Sequence, residues 1–352
     1  MLEQLSRQLA ATEALTGDQV RLAVEQLVDE TVAVETKAEF LACLARKGET
    51  EEEIAAFARE LQSRCVRPEI GAETRAEELL DVVGTGGDRL TTFNISTTVA
   101  LVAAAAGVRV VKHGNRASTS PTGSADVIEA LGVAFDLGPE EAVRSLSKHG
   151  FAFFFAPKYH PAFRHIVPAR KLCAARGQPT IFNFLGPLLN PARPSAMLLG
   201  VPRPGLCLPL ARVLRSLGVR RAMVVSGAVP AESGGGVRHL DEISPLGPTT
   251  VAEFYPGCPV ACGTLALEAF LLQPATLADL RGGDRDCNAA IILQVLGGKD
   301  RGPKRDAVLL NAAAALFVAN RVETLSAGWE LAAATIDSGA ACRKLEELRA
   351  GH

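Results

Sequence analysis

Apolar positions follow two rhythms along this chain. Through the first eighty residues they recur at helical, three-to-four spacing. Residues 1–16 read as an amphipathic helix with Glu3, Arg7 and Glu13 on the polar side. Thr16 with Gln19, and Thr50 with Glu53, have capping-box spacing ahead of apolar runs, and Lys47-Gly48 supplies a helix stop between them. From Leu79 onward the apolar runs shorten. Residues 79–83, 108–112, 196–201 and 221–225 read as strands, and residues 96–106, 124–131, 139–149 and 206–217 as helices. Strands alternating with helices predict a mostly parallel α/β sheet whose ligands sit beyond the carboxyl ends of the strands. No internal repeat stands out, and residues 228–236, rich in Ser and Gly, read as a loop.

Length and charge narrow the class without naming a function. The chain has 352 residues, which at about 150 per domain suggests two domains. Its 37 Lys+Arg against 39 Asp+Glu leave no basic footprint for nucleic acid, and 5% aromatics leave little for base stacking. The first 80 residues carry 9 basic and 17 acidic side chains, so the remaining 272 are net positive by 6, as an anionic small substrate would favour. The longest apolar stretch, 99–106, falls far short of the roughly 20 residues that span a bilayer. The N-terminus lacks the apolar core of a secretion signal. The eight cysteines are scattered singly, and Cys258 with Cys262 has no second Cys/His pair at zinc spacing, so reduced thiols in a cytoplasmic, soluble protein are expected.

Four polar clusters stand at the ends of the expected strands. Gly84-Thr-Gly-Gly-Asp88 is neither a Walker loop nor a dinucleotide fingerprint; it is a tight turn or an anion cradle. Thr92-Phe-Asn-Ile-Ser-Thr97 either caps a helix or offers an anion that helix's N-terminus. Lys112-His-Gly-Asn-Arg116 and the hydroxyl-rich loop to Ser124 suit phosphate and ribose oxygens better than a core. Asp241-Glu242 is surface charge, or a pair of oxygen ligands for a hard cation shared with substrate phosphates. Arg170 reads locally as a helix-surface arginine, and alternatively as a planar fork for a carboxylate.

Taken in order, these clusters, with Gly123-Ser-Ala-Asp126, Thr180-Ile-Phe-Asn183, Gly186-Pro187 and the Arg305-Asp306 region, closely resemble the anthranilate phosphoribosyltransferases over nearly the whole chain. The resemblance implies a small all-helical domain plus a larger α/β domain with a mostly parallel central sheet. The helical domain would span 1–78 and be completed by about 160–185, and 79–352 would form the larger one. It also implies a homodimer, and a reaction in which the amine of anthranilate attacks C1 of phosphoribosyl pyrophosphate (PRPP) and releases pyrophosphate. PRPP falls to Gly84, Gly87, Asp88, Thr92, Asn94, Ile95, Ser96, Thr97, Lys112, His113, Gly114, Asn115, Arg116, Ala117, Ser118, Thr119, Ser120 and Ser124. Mg²⁺, as two ions with PRPP, falls to Ser96, Asp241 and Glu242. Anthranilate falls to Gly84, Asn115 and Arg170, with His113 and Tyr159 lining its way in. Lys112 is expected to neutralise the leaving pyrophosphate and Arg170 to aim the amine through the acceptor's carboxylate.

The chain departs from the family pattern at three places. Pro179 stands where an arginine is usual, Phe163 replaces a methionine, and the segment 228–238 before His239 is longer. Two other readings compete. A pyrimidine nucleoside phosphorylase of the same fold would carry a Ser-Gly-Arg-Gly type motif where Lys112–Arg116 stands. A non-enzymatic nucleic-acid-binding relative would show basic patches and loss of these loops.

Overall fold

The computed structural model describes residues 1–117, 121–230, 236–265 and 267–351. The chain opens with four helices, α1 (Leu2–Ala10), α2 (Gly17–Val28), α3 (Val34–Lys47) and α4 (Glu51–Ser63). Both expected capping boxes form: Thr16 and Thr50 accept from the N–H groups three residues on, and the side chains of Gln19 and Glu53 return the bond. Gly48 ends α3 at a φ of 85°, a conformation costly to any side chain. The first helix is shorter than its pattern suggests, because the chain turns at Thr12 with φ 63°. Buried Glu53 then joins the pieces. It accepts the Leu15 N–H at 2.8 Å and pairs with Lys47 at 2.7 Å.

Short α5 (Ala72–Ala76) leads into β1 (Leu79–Gly84), α6 (Ile95–Ala105), β2 (Arg109–Gly114), α7 (Ser124–Ala130), α8 (Pro139–His149) and β3 (Phe151–Phe155). After α9 (Ala156–Tyr159), a 3₁₀ turn at Pro161–His165, α10 (Val167–Ala175) and α11 (Phe182–Leu185), a second 3₁₀ turn at Gly186–Leu189 precedes β4 (Ala196–Gly200). Then follow α12 (Cys207–Ser216), β5 (Arg221–Val229), β6 (Arg238–Leu240), β7 (Thr249–Phe254), β8 (Ala261–Leu265), α13 (Arg285–Leu296), α14 (Pro303–Val318), α15 (Leu325–Asp337) and α16 (Ala340–Ala350).

The strands order as β3-β2-β1-β4-β5-β7-β8, with β6 on β5. The first five are mutually parallel, and β6, β7 and β8 add antiparallel pairings. Strand order reverses between β1 and β4, where ligands of doubly wound sheets bind. Both faces are covered, so side chains alternate between two apolar cores. Leu80, Val82, Leu198 and Val225 join Val99, Leu101, Val308 and Leu316 on one side. Val83, Leu199 and Val224 join Phe40, Phe57, Ile166, Cys173 and Phe182 on the other. Burial on both faces erases the two-residue alternation, which is why the all-apolar Phe151–Phe155 strand is not evident from pattern. Ala228 and Val229 differ from the loop expectation, since β5 runs on through Val229 and pairs with a strand that starts at Arg238; residues 231–235 of that expected loop lie outside the described residues. Among the described residues no helix is long and apolar enough to cross a membrane.

One lysine ties the helical front to the segment that follows β3. Lys37 of α3 is buried, and its ammonium donates to the Asp29 carbonyl at 2.6 Å and to the His165 carbonyl at 3.0 Å. Burial draws its pKa down, as expected for a cation held chiefly by carbonyl dipoles. Lys37→Met should cost about 3 kcal/mol of unfolding free energy by leaving both carbonyls unpaired, read from urea titrations.

Candidate active site

Glycine ends β1 and β4 and recurs inside β5, and one loop lies on all three. A Cβ at Gly84 of β1 would meet the Asp241 carboxylate at 2.7 Å, and at Gly200 of β4 it would overlap the Asp241 carbonyl oxygen. At Gly227 of β5 it would meet Ser244 at 2.5 Å. Segment 241–244 therefore crosses the sheet at the β1/β4 reversal with no side chain beneath it. Asn311 of α14 holds it from below, accepting the Ile243 N–H and donating to the Ile243 carbonyl, both at 2.9 Å.

That loop delivers two enclosed carboxylates. Asp241 is 7% exposed and Glu242 8%. Asp241 accepts the Gly86 N–H at 2.5 Å and the Thr85 hydroxyl at 3.3 Å. Glu242 accepts the Ser96 N–H at 3.2 Å, in the first turn of α6 where the helix dipole favours an anion. Burial first, then the neighbouring Asp88, raises Asp241 to about 7. Burial and Asp241 hold Glu242 well above its ordinary value. Asp88 Oδ2 is buried without a partner. Among the described residues no group of three or more His, Cys, Asp and Glu side chains is arranged to hold a metal by itself. A pair of carboxylates, with an orphaned carboxylate oxygen nearby, fits instead a hard cation completed by phosphate oxygens and water.

The phosphate-type loops surround this pair. Gly86, with φ +72°, and Gly87 are exposed, so backbone is open to an anion there. The Asn94 side chain is positioned by α13, its Oδ1 accepting from the Asn288 side-chain amide at 2.9 Å. Thr92 forms an isolated bridge to Arg281. The Thr97 hydroxyl is buried and unpartnered. Gly114 is needed because Ser124 and Phe153 crowd it, leaving no room for a Cβ. Asn115 and Ala117 are exposed beside Ser124, and the Ala117 N–H donates to Asp126 at 2.9 Å. Ser118, Thr119 and Ser120 lie outside the described residues.

Four expectations change. Lys112 is 1% exposed, and its ammonium donates to the Val82 carbonyl at 2.7 Å. It is a buried counter-charge to Asp81 and Glu242. Arg116 turns outward, pairing with Asp126 at 2.8 Å and Glu129 at 2.9 Å over the Phe135 ring. Ile95 places its side chain in the core and gives its N–H to the Phe93 carbonyl. Tyr159 is buried, its hydroxyl donating to the Leu137 carbonyl and its ring against Phe154, so it lines no opening.

A second wall adjoins the loops. His113, His160, Phe163, Phe182 and Arg170 form a row. Ring centroids are 5.4, 5.1 and 5.7 Å apart in sequence, and the Arg170 guanidinium stands 5.2 Å from the Phe182 ring. Burial alone lowers Arg170, with no charged group perturbing it. It is a half-buried fork waiting for an anion, which the helix-surface reading does not describe. Pro179 is exposed beyond this row. His160 and Phe182 were not singled out from sequence.

Two family models cover the chain. That of the glycosyl transferase family helical bundle domain matches residues 3–65, and that of the glycosyl transferase family a/b domain matches 76–342. The anthranilate phosphoribosyltransferase of Symbiobacterium thermophilum is 46% identical, with 99% of this chain and 97% of that one covered. That of Thermomicrobium roseum is 43% identical over 99% and 96%. Among solved structures, the Thermus thermophilus enzyme superposes at a TM-score of 0.86, with 38% identity and 98% of each chain covered. The Saccharomyces cerevisiae enzyme in complex with PRPP and Mg superposes at 0.83, with 29% identity over 99% and 96%.

The carboxylate pair makes a pH signature. A carboxyl whose folded pKa is raised adds stability below its unfolded pKa and loses it as pH rises through the folded value. In EDTA, unfolding free energy should therefore fall between about pH 4 and about pH 7. Asp241→Asn should flatten that slope relative to the unaltered protein, measured by urea titration across the range.

Proposed function

The chain belongs to the glycosyl transferase family and, within it, to the anthranilate phosphoribosyltransferases, and from that premise we propose how its own residues divide the transfer. The observation that carries the reading is the Asp241-Glu242 loop on its glycine shelf, between the Gly84–Asp88 turn and the first turn of α6, with the unpaired Arg170 in the adjoining wall.

The diphosphate of PRPP lies over the exposed Gly86-Gly87 turn and the Asn94–Thr97 helix start. Asp241 and Glu242, with Ser96, would hold Mg²⁺ there, and Asp88 would add its orphaned oxygen to the same neighbourhood. Bound Mg²⁺ supplies neutralisation of the charge that develops on the departing pyrophosphate. Lys112, fixed to the Val82 carbonyl, offsets Glu242 from below and so keeps two adjacent carboxylates tolerable before metal and substrate arrive. Asn115 and Ser124 stand where the ribose hydroxyls pass.

On the other side, Arg170 takes the carboxylate of anthranilate while the Phe163 and Phe182 rings flank its plane. Anchoring that end aims the amine at C1 of the ribose. The nitrogen–C1 bond forms as the C1–pyrophosphate bond breaks, with cation character at C1, so positioning and leaving-group stabilisation dominate over any protein nucleophile. The homodimer and the cytoplasmic location implied by the resemblance belong to the same reading.

Incubation with PRPP, Mg²⁺ and anthranilate should consume anthranilate fluorescence and form phosphoribosyl-anthranilate; turnover of a different aromatic acceptor instead would overturn the acceptor assignment. Arg170→Ala should raise KM for anthranilate by about 100-fold, the loss of a charge-assisted pair, and leave KM for PRPP within about twofold.

A further inference from the structure

Two histidines in the acceptor wall are each more than nine-tenths buried, and each leaves one ring nitrogen bare. His113 is 6% exposed and His160 4%. His113 donates to the Gly186 carbonyl and His160 to the Leu189 carbonyl, the two ends of one 3₁₀ turn. Nε2 of both rings is buried and accepts no hydrogen bond from the protein. The donating nitrogen is therefore Nδ1, which fixes the tautomer and leaves Nε2 as a lone-pair acceptor. An unpaired buried acceptor costs stability unless a ligand completes it. The rings meet edge to face at 5.4 Å, and His160 continues through Phe163 and Phe182 to Arg170. His113 also follows Lys112 on the strand that ends beside the phosphate loops.

The reaction itself supplies the missing donor. An aryl amine that attacks C1 must shed one N–H proton, and of the wall's two neutral imidazoles His113 is the one carried on the strand that ends at the phosphate loops. We propose that Nε2 of His113 receives the proton the acceptor amine loses as the nitrogen–C1 bond forms, with His160 holding the His113 ring in place. This inference rests on the acceptor reading above. The amine lone pair becomes the new bond, the C1–oxygen pair departs with pyrophosphate, and the proton passes to Nε2 and then to water on product release. Burial, with His160 and Lys112 as neighbours, draws His113 down to about 3, and burial draws His160 to about 4. Both are thus uncharged and ready at neutral pH. A weak base suffices, because a positively charged N-alkyl arylamine is a far stronger acid than an alkylammonium ion.

The test uses the full chain with Mg²⁺ and saturating PRPP. His113→Ala should lower kcat by about 100-fold with KM for PRPP within about twofold, and added imidazole should restore part of the rate, which a merely structural role would not allow. His113→Asn keeps a donor for the Gly186 carbonyl but has no basic nitrogen. It should bind PRPP as the unaltered protein does, by calorimetry, yet turn over as slowly as His113→Ala. Undiminished kcat in His113→Asn, or no response of His113→Ala to imidazole, overturns the inference while unaltered protein still consumes anthranilate. Unaltered protein that leaves anthranilate untouched overturns the acceptor reading itself.

Discussion

A loop can lie flat on a parallel sheet only where the strands beneath it present no side chains, and here three of them present glycine. Gly84 and Gly200 pair at the ends of β1 and β4, Gly227 lies two residues past the Gly200 partner on β5, and residues 241–244 press onto all three more closely than any Cβ would allow. The consequence is chemical as well as steric. The main chain of the loop covers the strand ends, so Asp241 is turned against the Gly86 N–H and Glu242 against the Ser96 N–H. The glycine turn after β1 and the start of α6 thereby share their donors with the carboxylates that would hold the metal. A methyl group at Gly200 would lift the loop and undo both contacts together.

Burial then acts in opposite directions on the two halves of the site. It drives Asp241 and Glu242 up, so this half is strained by like charge and organised to receive cations. It drives His113 and His160 down, so the other half stays uncharged. Asp81 joins the halves. Fully buried on β1 and raised to about 6, it accepts from Asn190 at 2.8 Å and faces the His113 N–H. Asn190 follows the turn that both histidines hold. The electrostatic cost of the carboxylates and the neutrality of the imidazoles both follow from excluding water at the strand ends.

Much of this is legible in the sequence. The capping boxes at Thr16 and Thr50, four of the parallel strands and the helices between them follow from period and cap chemistry. The polar clusters at strand ends mark the site because a strand terminating in Lys, His, Asn and Arg has no core to fill. What stayed hidden has physical causes. Phe151–Phe155 is buried on both faces and carries no alternation. Arg116 looks like a phosphate ligand until Asp126 and Glu129, ten and thirteen residues on, are seen to claim it. Lys112 and Tyr159 have the right chemistry in the right segments, and only packing shows that both are enclosed. His160 and Phe182 become site residues because two turns bring them to His113, which no local pattern encodes.

Residue types and their order determined the chemistry by themselves: anion-tolerant turns, an adjacent carboxylate pair and an arginine near aromatics are covalent facts, present in any conformation. Tertiary structure decided which of those groups remain available. It paired Arg116, enclosed Lys112, left Arg170 without a carboxylate and stripped one nitrogen of each histidine of its partners. The reason is that hydrogen-bond and charge partners lie far apart in the chain and close in space. Whether a polar group is spent or free is therefore fixed by the fold, not by its neighbours in sequence.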